Sequence, residues 1–552
     1  MKLTGAKIIM ECLLEQGVDT IFGYPGGQIM PLYDALYDYT DDGRIRHILT
    51  SHEQGATHAA DGYARSTGKV GVCFATSGPG ATNTVTGIAT ANIDSSPIVV
   101  ITGQVPIASI GKDAFQEVDI VGVTLPVVKH SFACRSVEEL AETIRLAFRI
   151  AQSGRPGPVL VDVPKDLMTA KTQYKKEEAV KKDPAPPVET EKIQTLAKYI
   201  NEAQKPVIYA GGGVSISHAS EELTQLAEKN RIPVATTLMC LGNFSRRNPL
   251  SLGMAGMHGE KDSNMAVHNC DLLITIGARF SDRVTGNPET FAKHAKVIQI
   301  DIDRSEVGKN IGVDFKAIGD VKCILKELIP MVNNNKRKDW NDQVKSWKRD
   351  LPVPTVFDHD MIFKVVNEEL GDDVIVATDV GQHQMWTAQK WPFTKPRKLI
   401  TSGGLGTMGF GLGAAIGSKF GNPDEQVILF TGDGSFRMNC NELMTVAAQK
   451  LPIIVFVLKN NTLGMVRQWQ KLFFNKRYSA TDLPDVVDYT KLCSAFDLNG
   501  WEVDNEDDLR KAIKDAVDSK KGAVIACDIY IDENVWPIVP PGDSINNQVT
   551  EE

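Results

Sequence analysis

The chain of 552 residues contains no Cys-x-x-Cys pair. Its nine cysteines, at positions 12, 73, 134, 240, 270, 323, 440, 493 and 527, stand singly. That spacing excludes a zinc ribbon and a disulfide scaffold and predicts reduced thiols in a packed interior. There is no basic excess either. The net charge is −9 and the pI is near 5.7, so the footprint of a nucleic-acid or anionic-membrane partner is missing. No apolar run is long enough to span a membrane. The opening MKLTGAKIIMECLLEQGV puts acidic and polar residues where a signal peptide needs an apolar block, and an Arg- and Ser-rich transit segment is absent. A cytoplasmic location is the expectation. No short repeat is visible.

What is present is an ordinary globular composition, 42% hydrophobic and 23% charged, in a chain long enough for about three domains. Residues 1–170 alternate apolar strands with helical patterns. Ala6, Ile9, Leu13 and Leu14 give an opening amphipathic helix, and strands are predicted at 21–24, 47–50, 70–76, 98–102 and 159–163. Residues 171–190, KTQYKKEEAVKKDPAPPVET, have too much charge and proline to bury anything and read as an extended linker. A second α/β region covers 191–335, with strands at 206–210, 272–276 and 297–302. A polar connector, 336–355, leads to a third region at 356–540 and a tail at 541–552. The predicted class is α/β, with three doubly wound parallel-sheet domains.

The most informative stretch is 427–465. An apolar run from Val427 to Phe430 meets Gly432-Asp433-Gly434-Ser435, and after a helical pattern a second run from Ile453 to Leu458 meets Asn460-Asn461. In a strand–helix–strand unit of a parallel sheet, both polar ends lie at the same edge, so Asp433 and Asn460 can converge on one ligand. One carboxylate, one amide oxygen and loop carbonyls suit a hard cation carried with a diphosphate, because magnesium keeps phosphate oxygens and water in its octahedron. The pair of motifs resembles the diphosphate and metal site of thiamine-diphosphate enzymes. That resemblance implies Asp433, Asn460 and the Thr462 carbonyl as magnesium ligands, with a replaceable Thr462 side chain. Gly434, Ser435, Gly464 and Met465 would lie along the cofactor.

In the first region Glu53 follows a strand end and opens a helix, with GYPGG at 23–27 and SGPGATN at 77–83 nearby. This resembles the pyrimidine-binding domain of the same enzymes. A carboxylate hydrogen-bonded to a pyrimidine nitrogen favours the imino tautomer, whose exocyclic nitrogen then deprotonates the thiazolium carbon. Glu53 is therefore the expected catalytic carboxylate. The resemblance places Met408, in SGGLGTMGF at 402–410, under the two cofactor rings with Gly406 beside it, and gives Gly381, Gln382 and His383 to the diphosphate. Gly404-x-Gly406-x-x-Gly409 also matches a dinucleotide fingerprint, but glycine-rich strand-to-helix turns are common and GDGS follows one strand later.

Four further segments narrow the resemblance. DAFQE at 113–117, VDVPKD at 161–166, GARFSDR at 277–283 and GMVRQWQ at 464–470, in that order, look like the catalytic subunit of acetohydroxyacid synthase, the biosynthetic acetolactate synthase. The likeness runs along essentially the whole chain. It implies decarboxylation of pyruvate and transfer of the hydroxyethyl carbanion to a second 2-ketoacid, giving 2-acetolactate or 2-aceto-2-hydroxybutyrate, the first common step towards valine, leucine and isoleucine. Arg283 would hold the acceptor carboxylate with its planar fork. Trp469 would wall the acceptor side, while Phe115, Gln116 and Lys165 shape the channel from the neighbouring subunit, Gln116 and Lys165 with catalytic parts.

The same resemblance implies flavin adenine dinucleotide on the middle domain. Its expected contacts are Arg155, Gly211, Gly212, Gly213, Thr236, Thr237, Leu238, Met254, His258, Gly277, Ala278, Arg279, Asp282, Arg283, Val284, Asp301, Ile302, Asp320 and Val321. The overall reaction moves no net electrons, so this flavin would be structural. Ser281 stands where the family commonly has Asp, which predicts a tuning effect. Glu53 and Asp433 would reach opposite ends of one cofactor across a subunit interface, making a homodimer the smallest active unit, with a tetramer and a regulatory small subunit as further possibilities in the family. The tail is expected to order only when substrate or inhibitor closes the site. Other thiamine enzymes of pyruvate, namely an oxidase, a decarboxylase or a flavin-free catabolic synthase, and an inactive binding module of the same fold, remain alternatives.

Overall fold

A computed structural model describes residues 1–349 and 353–550. Three six-stranded, all-parallel sheets follow one another along the chain. In the first the spatial order is Arg46–Leu49, Thr20–Gly23, Gly71–Ala75, Ile98–Gln104, Val159–Pro164, His130–Ala133. In the second it is Ser251–Met254, Val234–Thr236, Pro206–Ala210, Leu272–Ile276, Lys296–Asp301, Phe315–Ile318. The third runs Leu399–Ile400, Ile375–Thr378, Val427–Gly432, Ile453–Lys459, Ala523–Asp528, Asn499–Val503. The central strands are near-continuous Val, Ile, Leu and Phe because helices cover both faces.

Each sheet first reverses its winding next to its opening strand, and ligands in open α/β sheets bind in the crevice beyond the strand ends at that point. The reversals fall between Thr20–Gly23 and Gly71–Ala75, between Pro206–Ala210 and Leu272–Ile276, and between Ile375–Thr378 and Val427–Gly432. The glycine-bearing segments read from the sequence follow these six strands.

The first and third domains pack through helices Glu53–Thr67 and Gly411–Gly421. Both are rich in Gly and Ala, and their backbones touch. A Cβ on Gly62 would lie 2.2 Å from the Ala414 carbonyl oxygen, and one on Gly417 only 1.8 Å from that of Ala59. Since backbone cannot yield as a side-chain tip does, Gly417→Ala is expected to destabilise by about 1–3 kcal/mol. Thermal unfolding monitored by circular dichroism checks this. An unchanged transition would mean the helices are not in backbone contact.

Two expectations need correction. The stretch after 171 is not free of buried groups: Lys171–Gln173 pairs antiparallel with Lys2–Thr4, and Tyr174 is buried. The Tyr174 hydroxyl donates to Glu15, which also takes both Nε and Nη2 of Arg145 at 2.9 Å. One aromatic within a charged run was enough to seat it. In the 336–355 connector, Lys338–Ser346 is a helix. Its Trp340 is buried, with Nε1 donating to the Pro206 carbonyl, and Arg337 hydrogen-bonds the carbonyls of Ile200, Ala203 and Asn230, so this segment packs on the middle domain. Residues 350–352 of it lie outside the described residues. The C-terminal tail makes contacts of its own. Ile545 is buried in the middle domain's core, Val549 pairs with Ile538, and Gln548 Nε2 donates to the Gly259 carbonyl; residues 551–552 lie outside the described residues.

Candidate functional site

The third sheet's crevice collects most of the expected cofactor residues. Asp433 is the first residue of helix Asp433–Asn439 and is buried. Its Oδ1 accepts from Gly434 N–H at 3.0 Å and its Oδ2 from Asn461 N–H at 2.9 Å. Burial pushes its carboxyl up to about 6, because no cation pairs with it among the described residues. Asn460, at the end of the adjacent strand, donates its Nδ2 to Gln382 Oε1 at 3.1 Å, and Gln382 Nε2 donates to the Glu533 carbonyl at 2.6 Å. This chain of amides fixes which atom of Asn460 remains for a ligand, namely Oδ1, shared only with Thr462 N–H at 3.3 Å.

The donor set is one carboxylate and one amide oxygen. Among the described residues no group of three His, Cys, Asp or Glu could hold a metal, so a zinc-type centre does not form here. A dication with diphosphate oxygens suits what is present. Thr462 differs from expectation: its hydroxyl donates to the Thr481 carbonyl at 2.9 Å, so its side chain ties down the loop and is not freely replaceable.

The walls of this crevice are equally specific. Ser435 Oγ donates to the Val380 carbonyl at 3.0 Å. Gly381 has φ +154°, and a Cβ on Gly464 would sit 1.8 Å from Gln382 Oε1, so a side chain there would displace the amide that bonds Asn460. His383 is buried with Nε2 unpartnered, and burial lowers its pKa to about 3. An orphaned ring nitrogen beside a buried carboxylate is a polar surface awaiting a ligand. Met408 reaches in from its loop, its Cε 3.9 Å from where a Cβ on Gly434 would be, and Gly406 (φ +72°) and Gly409 (φ +81°) give that loop the left-handed turns it needs. Met465 packs against the third domain's core. Missed from the sequence was Asp379, fully buried, whose carboxylate accepts from Gly411 N–H and the Thr431 hydroxyl and so binds two strand ends together.

Glu53 lies elsewhere. It opens helix Glu53–Thr67, capped by His52, and its Oε2 accepts from Asn83 Nδ2 at 3.0 Å. Its other hydrogen bond, from Thr57 to its carbonyl, also stays within the first domain. The structure thus forms two half-sites in one chain. Gln116 has φ +62° and packs on Gly78, where a Cβ would come within 2.9 Å of its carbonyl oxygen; such strain gathers at ligand sites. Phe115 is 83% exposed, and Lys165, half-buried, opens the short helix Lys165–Thr169.

Arg283 and Trp469 do come together, the guanidinium 5.5 Å from the ring centroid. Trp469 also lines an 820 Å³ cavity with Met465, Val466, Phe473 and Phe474. Ser281 accepts from Arg283 N–H at 3.3 Å and bonds Asp282, keeping the turn that Asp would otherwise cap.

Around the middle crevice, Gly211, Gly213 and Gly277 approach so closely that any Cβ would strike backbone, at 2.3 Å for Gly211 and 2.7 Å for Gly213. Gly213 N–H donates to the Gly277 carbonyl, Gly212 and Ala278 flank this contact, and Arg279 is desolvated with no ion pair among the described residues. Thr236 bonds the Gly253 carbonyl, while Thr237 Oγ1 and His258 Nδ1 are buried without partners. Leu238, Met254 and Val284 supply apolar surface. Asp301, pushed to about 6 by burial, precedes Ile302; Asp320 caps the helix beginning at Val321; Asp282 is exposed. Arg155 is held by Ser95, Glu306 and Asp303. A glycine cradle, a free arginine and orphaned polar atoms fit a pyrophosphate-bearing ligand.

Comparison with known families agrees with this geometry. Residues 3–123 match the family described as thiamine pyrophosphate enzyme, N-terminal TPP binding domain; 193–328 match its central domain; and 379–527 match its C-terminal TPP binding domain. The chain is 46% identical to the acetolactate synthase large subunit of Parasynechococcus marenigrum over 98% of its own length and 90% of the relative's. It is 46% identical to the acetolactate synthase isozyme 2 large subunit of Escherichia coli K12 over 100% of both. With the probable acetolactate synthase large subunit of Methanocaldococcus jannaschii it shares 46% over 99% and 95%. Taken with its three doubly wound domains and the two half-sites, this full-length likeness shows that the chain belongs to the acetolactate synthase large-subunit family of thiamine pyrophosphate enzymes.

Proposed function

We propose that this protein joins two 2-ketoacids, decarboxylating pyruvate and adding the remaining two carbons to a second pyruvate, or to 2-ketobutyrate, in branched-chain amino acid synthesis. The observation that carries this reading is the Asp433–Asn460 crevice combined with the Arg283–Trp469 pair. Thiamine diphosphate, when bound, supplies the carbanion chemistry that no side chain can.

The chain's residues do the rest. Asp433 and Asn460 Oδ1 hold magnesium, and the diphosphate lies against Gly381, His383 and Ser435. Met408 supports the ring end. Glu53 holds a proton at its carboxylate against the pyrimidine nitrogen. Arg283 orients the acceptor carboxylate, and Trp469 excludes water and favours an acceptor with one more methylene. The middle crevice holds flavin adenine dinucleotide without redox turnover.

Two copies complete the site, Glu53 of one facing the metal ligands of the other. Exposed apolar side chains beside both half-sites support this: Tyr24, Leu49 and Phe115 near the first, Met438 and Met444 near the second.

The test is an anaerobic assay of purified protein with pyruvate, magnesium and thiamine diphosphate, with and without added flavin, scoring acetolactate. Acetolactate that needs both cofactors is expected, without accumulation of reduced flavin. Acetaldehyde, or acetate with reduced flavin, would assign another thiamine enzyme. Trp469→Leu is expected to lower the preference for 2-ketobutyrate over pyruvate by about fivefold, since one methylene against an apolar wall is worth about 1 kcal/mol. Product ratios from mixed substrates measure it, and an unchanged ratio would remove Trp469 from the acceptor pocket.

A further inference from the structure

The loop that carries Met408 is gripped at its start by a different domain. Gly403 N–H donates to Asp94 Oδ2 at 3.0 Å, and Gly404 N–H donates to Asp94 Oδ1 at 2.8 Å. Asp94 belongs to the first domain, and its side chain is fully buried. Behind it stands Arg65, whose Nη1 meets Asp94 Oδ2 at 3.1 Å and donates to the Thr401 carbonyl at 2.8 Å. Arg65 Nε and Nη2 hold Asp61 at 2.7 and 2.8 Å. One carboxylate–guanidinium pair therefore fixes three backbone groups within four residues, on both sides of Ser402.

Two details show that this grip is built to place the loop. A Cβ on Gly404 would fall 2.8 Å from Asp94 Oδ1 and as close to Ile93, so a side chain there would have to shift the carboxylate or Ile93. At the loop's other end the Thr407 hydroxyl meets the Thr90 hydroxyl at 2.7 Å, so the same first-domain segment, 90–94, fixes the loop immediately before Met408. The adjoining Ser95 accepts from Arg155 Nε at 2.7 Å, and Arg155 pairs with Glu306 of the middle domain at 2.9 Å. All three domains meet at this turn.

We propose that Asp94, clamped by Arg65, is a positioning residue for Met408: it touches neither cofactor nor substrate, but sets the loop that holds the two cofactor rings together. This rests on the reading of the chain as a thiamine-diphosphate carboligase. Small displacements of a supporting side chain are felt in the reacting geometry more than in binding.

The test is Asp94→Asn, which can accept from only one of the two amides and leaves Arg65 short of a charge. With the folded variant, kcat for acetolactate is expected to fall at least tenfold while KM for pyruvate stays within twofold. Proton–deuteron exchange at the thiazolium carbon of bound thiamine diphosphate should slow by the same factor. Wild-type kcat and exchange in the folded variant overturn the proposal, as does a change confined to KM or to melting temperature. Gly404→Ala keeps both charges and pushes the loop off the carboxylate, so it is expected to show the same split. If Asp94→Asn does not fold, Gly404→Ala decides, and kcat and exchange within twofold of wild type overturn the clamp. If wild-type protein makes no acetolactate, the carboligase reading has failed, and the exchange measurement, which needs no second substrate, still decides the clamp.

Discussion

Glu53→Gln is expected to lower acetolactate formation by roughly 10²–10⁴, the usual range for removing a positioned acid–base group. The substitution keeps the shape of the side chain and leaves an oxygen for Asn83 Nδ2, now 3.0 Å from Oε2, so the first domain should fold unchanged. What disappears is the carboxylate that holds a proton against the pyrimidine. Thiamine diphosphate and magnesium should still bind with affinities within a few-fold of wild type, because the metal and diphosphate ligands are in the other half-site. The loss should therefore appear in kcat and in exchange at the thiazolium carbon, with little change in cofactor half-saturation. Wild-type exchange in this variant would take Glu53 out of cofactor activation and leave its hydrogen bond to Asn83 as a structural one.

Much of the architecture could be read from local pattern. The runs ending at Phe430 and Leu458 are unbroken apolar strands of a parallel sheet, and that geometry alone predicts that Asp433 and Asn460 share an edge; the observed register, Gly432 opposite Leu458, places them so. The strand at 206–210 was legible to the residue. Contacts between domains were not. Asp94 with Gly403, and Glu442 with the amides of Ser51 and His52, join residues hundreds of positions apart, and no periodicity records such a pair. A lone Asp in NIDSSP reads equally well as a solvated helix end. Tyr174 and Trp340 were missed for a related reason: Tyr174 is the one aromatic of 171–190 and Trp340 shares its charged stretch only with Trp347, so these anchors leave the average character of their surroundings unchanged. The role of the Thr462 hydroxyl was hidden because its partner, Thr481, lies on a loop with no regular structure to predict it from.

Asp433→Asn should uncouple the protein from its metal while leaving its fold intact. Asp433 is the only charged protein ligand in the proposed set, and losing a charged ligand is worth at least about 3 kcal/mol, on the order of 100-fold in magnesium affinity. The apo protein should not suffer. Burial has pushed this carboxyl up to about 6, so its ionised form costs stability at neutral pH when no cation is present, and a neutral amide of the same size removes that cost. One amide oxygen can still accept from Gly434 or Asn461. The expected result is a melting temperature in metal-free buffer equal to or above that of wild type. Thiamine diphosphate binding, followed by the quenching of tryptophan fluorescence during a magnesium titration, should then need far higher metal concentrations. Activity should fall with binding and recover in part at high magnesium, which distinguishes a lost ligand from a damaged fold. Wild-type half-saturation by magnesium would mean that the cation is held elsewhere and that the Asp433–Asn460 crevice serves the diphosphate alone. A lowered melting temperature in metal-free buffer would instead show that the two backbone hydrogen bonds to Asp433 outweigh the cost of keeping its charge buried.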